Sequence, residues 1–384
     1  IYLSYINELT GTEFNHLSFC FQSSRLHYLM DTTSGQPLCF PNLNSSCIRL
    51  LRPPSETALL YTLVGFVSLL TVTLNSLVIF SISHFRQLHT PTNNLLLSLA
   101  VCDLVVGLLV MPIEGLRYIE TCWLLGRLMC AVTPFLFYCL VSTSLGHMVL
   151  ISIIRYVTIC DPLQHTSKIT MTNVNICIFV CWAASIIYNG LITMEHMGNP
   201  DRFSSCHGEC VVVINYISGT IDLFVTFVGP CTVMVVLYMK VFVVAVSQMR
   251  VIQSQTAATD DRAGPTARKS QRKAARTLGI LIIVFLMCIC PFFYPTLAGE
   301  DSSTTLSYYS ILSWIMLLNS CLNPLIYALF YSWFRKAIRL IFTLRVLQAH
   351  SQEVLIIFSR LSSDHTRYLS LIHTLLLSES IKML

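Results

Sequence analysis

Charged residues are scarce in this sequence: Asp, Glu, Lys and Arg make up only 11% of its 384 residues. A typical soluble domain carries about 25%. Hydrophobic residues account for 54% of the chain, so the composition excludes an ordinary soluble protein and predicts a membrane protein. The formal net charge of +5 is too small to indicate a nucleic-acid partner. The lipid bilayer is therefore the first partner that the sequence implies.

Catalytic signatures are missing as well. The sequence contains no HExxH zinc motif, no GxSxG nucleophile motif and no glycine-rich phosphate-binding loop. His147 and His196 have no neighbouring cluster of metal ligands in the sequence, and we interpret both as structural. We therefore predict that the protein is not an enzyme and has no catalytic residues and no cofactor.

Seven long apolar runs follow one another, and each is long enough to cross a bilayer as a helix, which needs about 20 residues. They lie at 57–83, 93–118, 129–160, 173–194, 213–248, 277–298 and 306–329. The next stretch, 331–343, alternates basic and apolar residues at helical spacing, which is typical of a helix on the membrane surface. We predict an all-α membrane protein, a seven-transmembrane helix bundle with a short amphipathic helix after the seventh span.

The chain divides into a segment 1–56, a seven-transmembrane domain with its surface helix at 57–343, and a tail at 344–384. Lys and Arg are concentrated after the first, third, fifth and seventh runs, which predicts that these connections face the cytoplasm. The N-terminus is then extracellular and the C-terminus cytoplasmic. Asn44 begins an N-glycosylation sequon, in keeping with an outside N-terminal segment. The sequence offers no function for the tail.

Several polar residues lie inside the apolar runs, where hydrocarbon should exclude them. They are Asn75, Asp103, Ser144, Asn319, Ser320 and Asn323. One interpretation is a set of hydrogen bonds that hold the helices together. The other is a shared, hydrated cation site for sodium built on Asp103.

A set of motifs occurs in a fixed order on successive runs and resembles the signature of rhodopsin-like G-protein-coupled receptors. The set comprises Asn75, LAVCD ending in Asp103, Cys130, Arg155-Tyr156, Trp182, Pro230, Pro291 and NPLIY from Asn323 to Tyr327. The resemblance covers roughly 57–343. Longer stretches, HTPTNNLLLSLAVCDLVVGLLVMP, KAARTLG and NPLIYALFYSWFRKA, are similar to trace amine-associated receptors. CHGEC and FVVAVSQ resemble the subset of that family expanded in teleost fish.

This resemblance implies a sensory, often olfactory, receptor in the plasma membrane that senses amines. Its partners would be a small-molecule amine and a heterotrimeric G protein of the stimulatory type, through which it raises cyclic AMP. One alternative stays within the fold: a divergent orphan receptor, or one whose ligand is not an amine. A membrane transporter is the weaker alternative, because many transporters show internal repeats and none is visible in this sequence.

The family pattern also implies two disulfides, Cys130–Cys210 and Cys47–Cys206. The sequence holds 16 cysteines, and spacing alone cannot fix their connectivity. Choosing Cys47 over Cys39 rests only on the local sequence NSSCIR.

Arg155 matches the family's arginine that meets the G protein, and the residues matched to coupling and activation with it are Tyr156, Tyr238, Pro291, Pro324 and Tyr327. The acid that normally precedes this arginine is Ile154 here, and the position on the sixth span that often supplies a second acid is Gln271. Both resting-state carboxylates are therefore missing. We hypothesise either raised basal activity or a receptor drifting out of use.

Phe137 stands where most amine receptors place the aspartate that pairs with the ligand. Because a buried amine without a carboxylate is costly, we predict that Asp222 on the fifth span takes over, with Thr226 one turn further along the same face. Glu114 is either a second carboxylate that suits a diamine or a partner of Arg117 at helical spacing. The rings predicted to line the site belong to Phe137, Tyr138, Phe292, Phe293 and Trp314. Ile289 replaces the tryptophan common before the proline of the sixth span, which shifts the activation switch to Phe292 or Phe293.

Overall fold

The computed structural model describes residues 2–3, 37–49, 51–161, 167–202, 204–214, 216–256, 279–294 and 306–342. Within them the spans are α1 (Pro54–His84), α2 (Pro91–Ile119), α3 (Gly126–Cys160), α4 (Met171–Gly198), α5 (Tyr216–Thr256), α6 (Gly279–Tyr294) and α7 (Leu306–Phe330). A final helix, α8, covers Ser332–Phe342. Gln271 and the tail 344–384 lie outside the described residues.

Six of these helices are long and apolar enough to cross a membrane, and α6 is apolar but shorter within the described part of the chain. The predicted seven-span bundle is therefore confirmed. The helices extend a few residues beyond the apolar runs. For example, α4 continues to Gly198. An apolar run indicates the part of a helix inside the hydrocarbon core, and the helix itself can end several residues later.

Local sequence explains where several helices begin. Thr90 and Thr170 each cap a helix through the side-chain oxygen, which accepts a hydrogen bond from the backbone N–H three residues later. Pro54 and Pro91 follow the caps of α1 and α2, where a missing N–H costs nothing. Short polar connections thus delimit the apolar runs.

Helix α3 is the centre of the bundle. In its most apolar stretch 67% of the residues are buried, whereas the figure is 22% for α1 and 17% for α4. Outer helices keep apolar faces for lipid, so low burial inside the protein is expected of them. α3 therefore contacts the bundle interior along most of its length.

Two helices contain a widened π-helical turn: Val106–Val110 in α2 and Leu223–Val228 in α5. Such turns often occur at functional sites. The turn in α5 begins directly after Asp222.

Helix α8 is amphipathic as predicted. Phe334 and Ala337 are fully buried, and Ala337 packs with Phe85 and Leu88 near the end of α1. On the exposed side, the guanidinium of Arg335 donates hydrogen bonds to the carbonyl oxygens of Ala328 and Leu329. These bonds satisfy backbone groups left open at the end of α7.

One end of the bundle, here called the disulfide end, carries three disulfides: Cys130–Cys210, Cys47–Cys206 and Cys39–Cys122. The first two are the pairs that the family resemblance implies. The third joins the N-terminal segment to the connection after α2. The opposite end, which carries Arg155, is called the arginine end.

Backbone pairing adds to this covalent anchoring at the disulfide end. Leu38 pairs with Ile48, and Ser46 pairs with His207. Two short parallel strands, β1 (Tyr2–Leu3) and β2 (Val213–Ile214), pair with Tyr2 opposite Val213. Residues 37–49 are thus held against the connection between α4 and α5.

The contact between α1 and α2 depends on a glycine. A Cβ at Gly115 would lie 2.5 Å from Cγ1 of Val64, and valine cannot readily rotate away within a helix. Small residues of this kind let membrane helices approach closely.

We predict that Gly115→Ala destabilises the folded bundle by about 1–3 kcal/mol, because overpacking forces the helices apart. The measurement is the melting temperature of the detergent-solubilised protein. Gly65→Ala is the matched control, since nothing lies within 4 Å of its Cβ position. Adding Val64→Ala should restore much of the loss, and equal melting temperatures for the Gly115 and Gly65 variants would contradict the packing argument.

Candidate functional site

Asp222 is a buried carboxylate on α5 in the half of the bundle towards the disulfide end. Its side chain is 8% exposed. Its Oδ1 accepts hydrogen bonds from the hydroxyl of Thr226 at 2.6 Å and from the hydroxyl of Tyr188 on α4 at 3.3 Å. Among the described residues no lysine or arginine forms an ion pair with it. The site therefore offers a desolvated negative group that is oriented by neutral donors.

A continuous series of aromatic rings links α3, α6 and α5. The ring of Phe137 lies 5.5 Å from Tyr138 and 6.1 Å from Phe292. Phe292 contacts Phe293 at 5.2 Å, and Phe293 stacks on Phe227 at 4.5 Å. These rings form an apolar wall that can face an organic cation.

Three of the predicted ring residues are almost fully enclosed. Phe137, Tyr138 and Phe293 are 1%, 7% and 7% exposed. Trp314 on α7 is partly buried and packs against the same core. The structure thus brings four of the five predicted rings into direct contact, and the fifth, Trp314, lies on a different helix that packs against the same core.

Glu114 and Arg117 form an ion pair on α2. The distance between Arg117 Nη1 and Glu114 Oε1 is 3.5 Å, and the two side chains are only 9% and 12% exposed, arginine first. Arg117 Nη2 also donates to the carbonyl oxygen of Cys210 at 3.1 Å. Of the two alternatives for Glu114, the structure contains the pairing with Arg117.

The buried polar residues lie together in the middle of the bundle. Asp103 Oδ2 accepts a hydrogen bond from Asn323 at 2.9 Å, and Asn75 donates to the backbone carbonyl oxygen of Ser320 at 3.0 Å. Several buried oxygens have no hydrogen-bond partner among the described residues. They are Asn75 Oδ1, Asp103 Oδ1, Ser144 Oγ, Asn319 Oδ1 and Asn323 Oδ1.

These oxygens test whether a sodium ion fits. A cavity of about 20 Å³ is lined by Ser144, Asn319 and Ser320, with Ile289 beside them. That is room for roughly one water-sized occupant. Carboxylate, hydroxyl and amide oxygens are the donors that hard cations prefer. Asp103 and Asn323 are not among the residues that line this cavity, whose other side chains are mostly apolar. The cavity therefore suits a water molecule, while Asp103 and Asn75 are held by hydrogen bonds between helices.

Arg155 makes a different contact from those expected. Its Nη2 donates to the hydroxyl of Tyr331 at 3.0 Å. Tyr331 in turn packs edge to face against Tyr327 at 5.8 Å. Ile154, at the position of the missing acid, is buried with 7% exposure. A neutral phenol therefore contacts the arginine in this structure.

The other residues matched to coupling and activation lie on α3, α5, α6 and α7. The hydroxyl of Tyr238 occupies the space where Gly279 has no side chain, because a Cβ there would lie 2.2 Å from it. Lys240 sits over the ring of Tyr156 at 5.9 Å. Pro324 lies inside α7 and Pro291 lies within α6.

Comparison with known proteins decides the family. Residues 74–327 match the model of the 7 transmembrane receptor (rhodopsin family). Trace amine-associated receptor 13c of Danio rerio is 35% identical over 82% of this chain and 95% of its own length. Trace amine-associated receptor 7c of Rattus norvegicus is 38% identical over 87% and 96%, and trace amine-associated receptor 6 of Homo sapiens is 37% identical over 82% and 94%. The chain belongs to the trace amine-associated receptors. It is a multi-pass membrane receptor of the rhodopsin family and not an enzyme.

Sequence reasoning missed four features of this receptor. Tyr188 on Asp222 and Phe227 in the aromatic series gave no signal beyond being aromatic residues in apolar runs. Tyr331 follows the last residue of the NPLIY motif, Tyr327, by one helical turn, so the contact between these two tyrosines could have been predicted. The Cys39–Cys122 bond could not, since the family resemblance implies only two pairs and spacing does not fix the connectivity of cysteines.

We predict that non-reducing proteolysis of the receptor yields a linked peptide pair containing Cys39 and Cys122, identified by mass spectrometry. The double variant Cys39→Ser/Cys122→Ser should lower the melting temperature by several degrees, because a disulfide contributes about 2–4 kcal/mol.

Cys160→Ser is the control for this experiment, since Cys160 is a free cysteine. The single variant Cys39→Ser should leave Cys122 reactive towards a thiol reagent once the protein is denatured. Recovery of Cys39 linked to Cys47 or Cys206 would contradict the assigned connectivity.

Proposed function

We propose that the protein is an amine receptor in which the ligand's ammonium group pairs with Asp222. The observation that carries this proposal is a buried carboxylate without a cationic partner among the described residues. Keeping a lone charge out of water is costly unless another charge compensates it. An ammonium group would supply that charge, while Thr226 and Tyr188 keep the carboxylate oriented from Oδ1.

The aromatic series supports the same assignment. Phe137, Tyr138, Phe292 and Phe293 present apolar surface and ring faces, which attract cations. Trp314 and Thr226 complete the proposed ligand site. The names of the relatives, trace amine-associated receptors, agree with an amine ligand.

A receptor for a ligand that is not an amine is the second candidate. Phe137 favours it, because this ring occupies the position from which most amine receptors read the ligand's charge. Asp222 distinguishes the two candidates, since only an amine requires its carboxylate.

For signalling, we infer that the disulfide end faces the exterior and the arginine end faces the cytoplasm of a cell with this receptor in its plasma membrane. Disulfides persist in oxidising surroundings, and exposed Asn44 lies at the same end, where glycosylation takes place. Arg155, with Tyr156, Tyr238 and Tyr327, would meet a heterotrimeric G protein. The family resemblance favours the stimulatory type, a rise in cyclic AMP and a role in olfaction.

Asp103 would hold a sodium ion together with oxygens of Ser144, Asn319 and Asn323. A bound cation would compensate the buried carboxylate. In this assignment the hydrogen bond between Asn75 and Ser320 positions α1 and α7 around the cluster. Pro291, Pro324 and Tyr327 would belong to the helices that rearrange on activation.

We predict that Asp222→Asn weakens cyclic AMP responses to amines about 10- to 100-fold in potency. A hydrogen bond to a charged group is worth about 1.5–3 kcal/mol, and each 1.4 kcal/mol is a factor of ten. The measurement is a cyclic AMP reporter in cells at matched surface expression, screened with mono- and diamines.

Asp201→Asn is the control, because Asp201 is an exposed acid that pairs with Arg127. Unchanged amine potency in the Asp222 variant would refute the proposed binding mode. Responses that survive and belong to neutral compounds would favour the second candidate.

We predict that Ile154→Asp lowers ligand-free cyclic AMP, about two- to tenfold, because a carboxylate beside Arg155 forms a stronger, charge-assisted contact than a phenol. Conversely, Tyr331→Phe should raise ligand-free cyclic AMP, since that change removes the hydroxyl that Arg155 contacts in this structure.

Ile154→Asn is the matched control for the aspartate variant, as it has the same shape and no charge. The signal is normalised to receptor at the cell surface. If basal signalling is the same in all four receptors, the hypothesis of raised basal activity fails.

A further inference from the structure

The ion pair on α2 lies close to the proposed ligand site. The end of α2 that carries this pair contacts α7, the helix of Trp314. Arg117 also contacts Cys210, whose disulfide partner Cys130 lies two helical turns before Phe137 on α3. Tyr138, which contacts Phe137, is 7% exposed. The pair therefore lies beside helices that carry the proposed ligand site.

The Oε1 atom of Glu114 depends on Arg117. It is buried and has no hydrogen-bond partner among the described residues, so the ionic contact at 3.5 Å is what compensates it. At 12% side-chain exposure, water screens the carboxylate poorly. Loss of the Arg117 charge would leave Glu114 Oε1 without this compensation.

Arg117 is held in place from its other side. Its Nη2 donates to the carbonyl oxygen of Cys210, and Cys210 is bonded to Cys130 at the start of α3. The planar fork of the guanidinium can contact both groups at once. Arg117 therefore bridges Glu114 and an anchored loop through separate nitrogens.

We propose that Arg117 is a specificity-determining residue, which neutralises Glu114 and thereby limits the receptor to ligands with a single ammonium group. This inference rests on the proposed function of Asp222. A monoamine finds one free carboxylate and an aromatic wall. The second ammonium group of an α,ω-diamine would instead meet a carboxylate that is already paired and a fixed positive charge, which repels it.

The test compares a straight-chain monoamine with the α,ω-diamine of the same chain length, over several lengths, in the cyclic AMP reporter. Arg117→Gln removes the charge but keeps a donor for the Cys210 carbonyl. We expect the ratio of diamine to monoamine potency to rise about tenfold or more in this variant, because Glu114 can then pair with the second ammonium.

Two further variants make the result specific. Arg117→Gln/Glu114→Gln should return the ratio to the wild-type value, because the unmasked carboxylate is gone. Arg117→Lys keeps the positive charge and should also keep the wild-type ratio. Surface expression and monoamine potency show whether each variant is folded.

Three outcomes would overturn the inference: a wild-type receptor that already prefers the diamine, an unchanged ratio in a folded Arg117→Gln receptor, or a gain that persists in the double variant. The variant Asp222→Asn distinguishes failure of the inference about Arg117 from failure of the proposed binding mode. If monoamine potency does not depend on Asp222, the proposed function is wrong and the inference falls with it. If it does depend on Asp222 and the ratio is unchanged, only the role of Arg117 is refuted.

Discussion

A charge inside the bundle must be compensated, because neither hydrocarbon nor packed side chains can replace water around it. This receptor contains few such charges, and each has a different partner. Glu114 pairs with Arg117 on the same helix. Asp103 is surrounded by amide and hydroxyl groups, Arg155 contacts a phenol, and Asp222 has only neutral donors among the described residues. Asp103 and Asp222 thus both have no cationic partner among the described residues, and of the two only Asp222 lies towards the disulfide end, where we propose that the ligand binds.

The central helix α3 connects these sites. Cys130 joins its first turns to Cys210, and thus to the connection that also holds Arg117. Phe137 and Tyr138 lie on its buried face between the sites on α2 and α5. Near its other end is Arg155. A shift of α3 caused by a bound ligand would therefore move groups at both ends of the bundle. The helix itself has no carboxylate at the position where most amine receptors bind the ligand's ammonium group.

Two departures from the family pattern fall on this same helix. Phe137 replaces the usual ligand carboxylate, and Ile154 replaces the acid beside the arginine. Each removes a negative charge from the bundle interior, and each has a counterpart elsewhere in the structure. Asp222 lies on α5, and the hydroxyl of Tyr331 lies beside Arg155. In the proposed binding mode, the carboxylate that pairs with the ligand lies outside α3, and so does the group that contacts Arg155.

The seven spans, the amphipathic α8 and the family could all be predicted from the amino-acid sequence. Apolar length and helical periodicity are local properties, and hydrocarbon leaves a helix as the way to satisfy the backbone. The sequence also led to the prediction that Asp222 pairs with the ligand, and it offered the Glu114–Arg117 pair as one of two alternatives, since i,i+3 neighbours meet on any helix. These inferences needed no knowledge of how the helices pack.

The contacts between helices, in contrast, could not be predicted from the sequence and follow from the tertiary structure. Tyr331 lies 176 residues from Arg155 along the chain, and Tyr188 lies 34 from Asp222. The Cys39–Cys122 bond spans 83 residues, and six cysteines permit 15 connectivities. Such pairings depend on the rotation and tilt of whole helices and on the course of the loops. Packing sets those quantities, and the period of the apolar residues leaves them open.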